Sequence, residues 1–158
     1  MKHGGIKSLV LFSVGYCAYI AIEVTYRGVS YPIMGLCGGA AVVLLEKIHS
    51  KLPQNTDLLL QGLFGSVLIT LMELIIGEAA LRTSLFPIMW DYSNVALNYD
   101  GVICLPFSIL WGMLSIPAII LADTISFFIS GEPHPPRYRL LGHPFHIIHH
   151  SPGDEASS

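Results

Sequence analysis

Long apolar stretches broken by short polar gaps run through most of the chain, and the gaps mark off four segments. The first extends from about Ser8 to Thr25, the second from Val29 to Leu45, the third from Leu58 to Leu81, and the fourth from Val102 to Phe128. A bilayer core of about 30 Å takes roughly 20 apolar residues in a helix, so each segment reads as a membrane span. The second is short and Gly-rich, with Pro32 in its first turn, where proline is tolerated. The fourth is too long for one upright span and carries Pro106 and Pro117. It reads as a kinked or tilted helix, or as a re-entrant piece leading into one. The pattern therefore predicts an all-α, polytopic membrane helical bundle of about four transmembrane helices over residues 1–130. Residues 131–158 read as a flexible cytoplasmic tail rich in His and Pro.

Composition narrows the class further. Of 158 residues, 53% are apolar and only 12% charged, against roughly 25% charged in soluble domains. A soluble fold of this size has too much surface for its volume to hide so much apolar area. The net charge of −3 gives a nucleic-acid backbone no basic patch. Cys17, Cys37 and Cys104 all fall in or beside apolar stretches, an odd count that reads as buried thiols and not as a disulfide framework. The basic start, Met1 to Lys7, precedes an apolar run with no small-x-small cleavage site, so the first segment reads as an uncleaved span. Lys2, Lys7, Lys47, Lys51, Arg137 and Arg139 fall on one side of a four-span topology, and only Arg27 and Arg82 on the other. That bias places both termini in the cytoplasm.

Within the spans, small and polar residues recur at helical spacing. Gly62, Ser66, Thr70, Glu73 and Gly77 form one continuous stripe on the third segment. Small residues allow close helix approach, and hydroxyls can bond across the contact. The opposite surface, with Leu63, Leu68, Leu71 and Ile75, suits lipid. Tyr16, Tyr19, Glu23 and Tyr26 share a face of the first segment. Gly35 and Gly39 form a helix-contact pattern on the second, while Ser108, Gly112 and Ser115 share a face of the fourth, with Asp123 two turns on. Four helices enclose little interior, so a homo-oligomer or a heteromeric partner is expected.

Acids at membrane depth are the candidate chemistry. A buried carboxyl group there is paired, protonated or turned to a polar cavity. Glu73, deep in its helix, reads either as a cation, proton or substrate site, or as the partner of Arg27, Arg82 or the first span's tyrosines, such as Tyr19. Glu23 and Glu78 lie near Arg27 and Arg82 and read as ion pairs first. His143, His146 and His150 would share a face if their stretch were helical, with His149 beside them, a spacing that suits zinc or nickel. Residues 146–150 also resemble the His-x-x-His-His box of membrane di-iron enzymes, but no second box occurs and the other histidines stand apart.

The segment after the third span is the most distinctive. It reads Trp90-Asp91-Tyr92-Ser93, then Asn98, then Gly101-Val102-Ile103-Cys104-Leu105, then Phe107-Ser108 and Trp111-Gly112. Together with Thr70-x-x-Glu73, Gly77, and Glu23 with Tyr26, this run resembles the bacterial membrane family known as putative ABC-transporter type IV, over roughly residues 8 to 120. Val102 stands where that family usually carries Arg, which removes a partner for Glu73 or Asp91. On residue chemistry alone, Trp90 and Tyr92 suit a membrane interface, Asp91 and Ser93 can cap a turn, and Asn98 to Gly101 reads as a turn. This stretch reads as an interfacial anchor or as a lid folded back on the bundle.

The resemblance implies a small permease-like transport component of the bacterial cytoplasmic membrane, served by a separate ATPase subunit. The chain contains no Gly-x-x-x-x-Gly-Lys-Ser/Thr loop with which to hydrolyse ATP itself. The expected site comprises Glu73, Glu23, Glu78, Tyr19, Thr70, Asp91 and Asn98. No cofactor is expected beyond a divalent metal at His143, His146, His149 and His150. The competing reading is a structural or regulatory membrane subunit without a substrate, in which the acids only hold helices together.

Overall fold

The computed structural model describes residues 2–53, 55–83, 88–130 and 135–147. Four helices carry the architecture: α1 (Lys2–Arg27), α2 (Pro32–His49), α3 (Leu58–Arg82) and α4 (Leu105–Ser130). All four are long and apolar enough to cross a membrane. Two short antiparallel strand pairs complete the order. β1 (Asn98–Tyr99) pairs with β2 (Ile103–Cys104) just before α4, and β3 (Arg137–Leu140) pairs with β4 (His143–His146) after it.

Local chemistry sets the helix limits. Gly28 follows α1 at φ +76 and returns its N–H to the Val24 carbonyl at 2.8 Å, a left-handed C-terminal cap. Pro32 opens α2, where its missing N–H costs nothing. Asp57 caps α3, its Oδ1 accepting the Leu59 N–H at 3.0 Å. α4 begins only at Leu105 and continues through Pro117. The helix thus opens three residues later than the expected span. Ile103 and Cys104, within the expected span, instead pair with Asn98 and Tyr99 in the small hairpin, and Pro106 falls harmlessly in the first turn of α4.

The helices form two tight antiparallel pairs, α1 with α2 and α3 with α4, which meet each other more sparsely. Glycine permits the first pairing. A Cβ at Gly15 would fall 2.7 Å from the Gly38 carbonyl oxygen, and one at Gly39 would fall 2.7 Å from that of Phe12. Tyr16 and Tyr19 fill the space over Gly35 and Gly38. Tyr26, expected on the same face, is largely exposed. Hydroxyls knit the second pair along the predicted stripe. Ser66 donates to the Ser108 carbonyl at 2.6 Å, and Thr70 donates to the Ser108 hydroxyl at 2.9 Å. Leu63, Leu71 and Ile75 face outward as expected, but Leu68 packs against the core.

That core lies at the end of the bundle where α1 begins and α4 finishes, here the terminal end. Leu45, Leu58, Ile119 and Tyr138 bury one another there, with Phe145 against them. The expected flexible tail is thus, over residues 137–146, a hairpin docked on the helices. The alternation of Tyr138, Leu140, His143 and Phe145 explains it. Tyr138 pairs with Phe145 across the strands and turns into the bundle at 2% exposure. Asp57 Oδ2 accepts the Gly142 N–H at 2.9 Å and anchors the hairpin's tip to the start of α3. These two hydrogen bonds, that from Gly142 first and that from Leu59 second, hold the Asp57 carboxyl below its ordinary range.

Candidate functional site

At the opposite end, the connection between α3 and α4 folds back over the helices. The Arg27 guanidinium donates to the Met89 carbonyl at 2.6 Å, and Trp90 donates its indole N–H to the Val102 carbonyl at 2.8 Å. The Tyr92 N–H reaches the Gly101 carbonyl at 2.8 Å. Tyr99, Asp100, Gly101 and Val102 turn the chain between β1 and β2, with Asp100 and Gly101 at positive φ. Val102 is buried at 3% exposure over Gly77, where the absence of a Cβ makes room for it. A valine at this position closes an apolar contact that a charged side chain would disturb.

The fold-back delivers Tyr92 to Glu73. The Tyr92 hydroxyl donates to Glu73 Oε1 at 3.0 Å, and its ring stacks on Phe107 with centroids 4.6 Å apart. Burial, reinforced by the Glu73 carboxyl group, pushes the Tyr92 phenol well above its ordinary range, so it remains a donor. Glu73 is 8% exposed, and its Oε2 has no hydrogen-bond partner among the described residues. The indole Nε1–H of Trp111 lies against the Glu73 carboxyl group, close to it but outside full hydrogen-bond alignment. Trp111 in turn stacks on Tyr19 at a centroid distance of 6.0 Å. Tyr19 lies within electrostatic reach of both Glu73 and Glu23.

Glu73, Tyr19, Trp90 and Trp111 line a cavity of about 270 Å³ to which all four helices contribute. On α4 its wall is the stripe Trp111, Ser115, Ala118, Ala122 and Ile125, at helical spacing. The polar groups gather at one extremity and the rest of the lining is almost wholly apolar.

The remaining expected residues sit apart from this centre. Glu23 is buried, but it is bonded to Arg27 and to the Ser30 hydroxyl. Glu78 pairs with Arg82 at 2.7 Å on the surface. Thr70 is one turn from Glu73 and serves the α3–α4 contact. Asp91 accepts from the Ser93 hydroxyl and backbone N–H, which hold its carboxyl below the ordinary range. Asn98 donates to the Val95 carbonyl at 2.7 Å and accepts from the Gly101 N–H at 3.1 Å, so both residues shape the turn. His143 and His146 stand on β4, not on a helix, and three positions along a strand put them on opposite faces. His149 and His150 lie outside the described residues.

Three groups escaped the sequence reading at the terminal end. His49 Nδ1 meets Gln61 Oε1 at 2.5 Å, and its Nε2 lies 2.9 Å from Asp123 Oδ2, an ion-pair approach without hydrogen-bond alignment. The Tyr138 hydroxyl borders Asp123, and burial followed by that acid pushes its phenol up. Lys7 closes this end with a 2.7 Å bridge to Glu46. Trp111 is the corresponding omission at the loop end. Its place in the α4 stripe with Ser115, Ala118 and Ala122 was the available signal.

Four bilayer-length helices with lipid-facing apolar surfaces and one unsatisfied acid beside an internal cavity define a multi-pass membrane protein. The family model for Putative ABC-transporter type IV matches residues 10–133, and the chain belongs to that family. No curated protein and no solved structure matches it.

Proposed function

We propose that this protein is a permease-like subunit of a bacterial transport system, working at a polar intramembrane site centred on Glu73. The single observation that carries this reading is the Glu73 carboxyl group itself. It is buried, free of any cationic partner among the described residues, unsatisfied at Oε2, and set in the wall of a cavity between the helices. A purely structural acid at that depth would be expected to carry an ion pair, as Glu23 does. Membership of an ABC-type family supports a separate ATPase partner, since this chain has no phosphate-binding loop. The distribution of Lys and Arg supports cytoplasmic termini, with the Trp90–Cys104 connection on the outer face.

Two measurements test the proposal together. Mild-detergent purification of the tagged protein from its native membrane should recover an ATPase subunit in stoichiometric amount. Recovery of the chain alone or as a self-oligomer would overturn the ABC-component reading. Glu73→Gln should insert normally yet fail to replace the native protein in a deletion strain. Full replacement by that variant would remove Glu73 from the mechanism.

A further inference from the structure

The two helix pairs meet sparsely, and among the described residues polar side chains tie them together at each end. At the loop end Arg27 of α1 donates to the Met89 carbonyl. At the terminal end His49, the last residue of α2, reaches Gln61 on α3 and Asp123 on α4. The cavity lies between these ties. Leu45, one turn before His49, and Ala122, beside Asp123, both line it, so movement at the terminal tie is movement of the cavity wall.

Hydrogen-bond chemistry fixes where the protons of His49 are. Gln61 donates its amide to the Thr56 carbonyl at 2.9 Å, and a carbonyl can only accept. This leaves Gln61 Oε1 to face His49 Nδ1 at 2.5 Å, so that nitrogen carries a hydrogen. A neutral imidazole has one N–H, and its Nε2 would then present a bare lone pair to Asp123 Oδ2 at 2.9 Å. Two lone pairs at that separation repel. The approach is favourable only with a second proton between the two atoms, and imidazole, a stronger base than a carboxylate, holds it. The remaining groups around the pair are accounted for. Glu46, three residues before His49, is bridged to Lys7 of α1, Gln61 does not titrate, and Tyr138 on β3 borders Asp123.

We infer that His49 and Asp123 form a proton-operated clamp. With the shared proton bound, α2 is held to α3 and α4 and the terminal end of the cavity is shut. With the proton released to water, His49 leaves with α2 and the helix pairs separate at that end. The His49 side chain is 25% exposed, so water reaches it. Tyr138 stays beside the Asp123 carboxylate on the α4 side, which keeps that charge from being stranded when His49 departs. The closed arrangement binds one proton more than the open one, so rising pH favours opening. The clamp is independent of the role proposed for Glu73.

Two measurements on the full-length protein in nanodiscs test it. Nitrogen NMR of the histidine-labelled wild type, assigned by the signal lost in His49→Gln, should show both ring nitrogens of His49 protonated at about pH 6 and one at about pH 9. Spin labels then report the separation of the helix pairs, with Cys17→Ala, Cys37→Ala and Cys104→Ala removing the native thiols. Labels on Lys47→Cys of α2 and Phe128→Cys of α4, both exposed positions, should move apart over the same interval as a single-proton transition. Labels on Val24→Cys and Leu81→Cys at the loop end should not. Asp123→Asn should keep the terminal distance short throughout, because its amide donates to a neutral Nε2 and no lone pairs are opposed. A terminal distance independent of pH in the protein with native His49 and Asp123 would overturn the inference. So would a widening that persists in Asp123→Asn, or a His49 ring with a single N–H at about pH 6.

Discussion

Two acids, one near each end of the bundle, are held in opposite ways. Asp123 is closed in: His49 approaches it from α2, Tyr138 borders it from the docked hairpin, and the core of Leu45, Leu58 and Ile119 lies alongside. Glu73 has one hydroxyl donor, from Tyr92, and its second oxygen faces a cavity. Enclosure with an opposite charge makes an acid part of the scaffold, because removing either partner strands the other. An acid left half-satisfied beside open volume contributes little to the scaffold, and its cost is tolerated where a ligand can complete it.

The largest effect should come from breaking the enclosed pair. Asp123→Ala leaves His49 without its carboxylate and should cost about 2 kcal/mol of stability, between the worth of an exposed pair and the penalty for opening a fully buried one. Unfolding in a denaturing-detergent titration measures it. Combining His49→Ala with Asp123→Ala should recover part of the loss, since neither charge is then stranded. A loss below about 1 kcal/mol would place Asp123 among ordinary interfacial charges and dissolve the contrast.

The loop end should answer differently. Glu73→Leu combined with Tyr92→Phe removes acceptor and donor together, so no partner is left unsatisfied. Stability should stay within about 1 kcal/mol of the native protein or rise, because paired polar groups exchange for apolar ones at little net cost. Function should be lost. A large destabilisation would instead make the Tyr92–Glu73 bond the strut that holds the connection onto the bundle.

How much of this was legible in the sequence depended on whether a period carried it. The α3 stripe from Gly62 to Gly77 was readable because helical spacing fixes which residues share a face, and the contacts of Ser66 and Thr70 with Ser108 follow that face. Leu68 was misplaced because the same argument cannot say how far neighbouring helices wrap around; it packs on the core. No period links Tyr92 to Glu73, which are 19 positions apart with a reversal between them. His49 and Asp123 meet through tertiary packing alone. The hairpin hid for a different reason. Prolines and histidines gave residues 135–147 the look of a solvated tail, while the informative alternation lasts only four residues per strand. The fold class and the burial of Glu73 were therefore readable, and its Tyr92 partner and the hairpin were not.

The hairpin's anchor gives the comparison a pH axis. Asp57 holds Gly142 and caps α3, and its carboxyl lies below the ordinary range in the folded protein. A lowered folded value means that ionised Asp57 favours the docked hairpin at pH above the ordinary Asp range, and that this contribution disappears as pH falls through the lowered value. Amide exchange at Gly142, corrected for the intrinsic pH dependence, should show protection falling below about pH 4. Exchange within α3 near Glu73 should not follow it. Protection unchanged across that interval would show that Tyr138 and Phe145 alone dock the hairpin.

The smallest effect is a gain. Leu141 and Gly142 form the two-residue turn between β3 and β4, at φ +52 and +81. Two-residue turns with both central residues at positive φ favour Asn-Gly, and a leucine in that region strains its Cβ against the neighbouring carbonyl. Leu141 is 72% exposed, so its side chain gains no packing within the protein in return. Leu141→Asn should strengthen the hairpin by roughly 0.5 to 1 kcal/mol, visible as slower exchange at Gly142. The change should leave the intrinsic fluorescence of Trp90 and Trp111 unaltered, because both line the cavity and the turn belongs to the enclosed end. Faster exchange in the variant would mean that Leu141 touches the bilayer surface and that this contact outweighs the strain of its turn. The hairpin would then be a membrane anchor as well as a cap, and enclosure at the terminal end would depend on lipid as much as on the protein's own side chains.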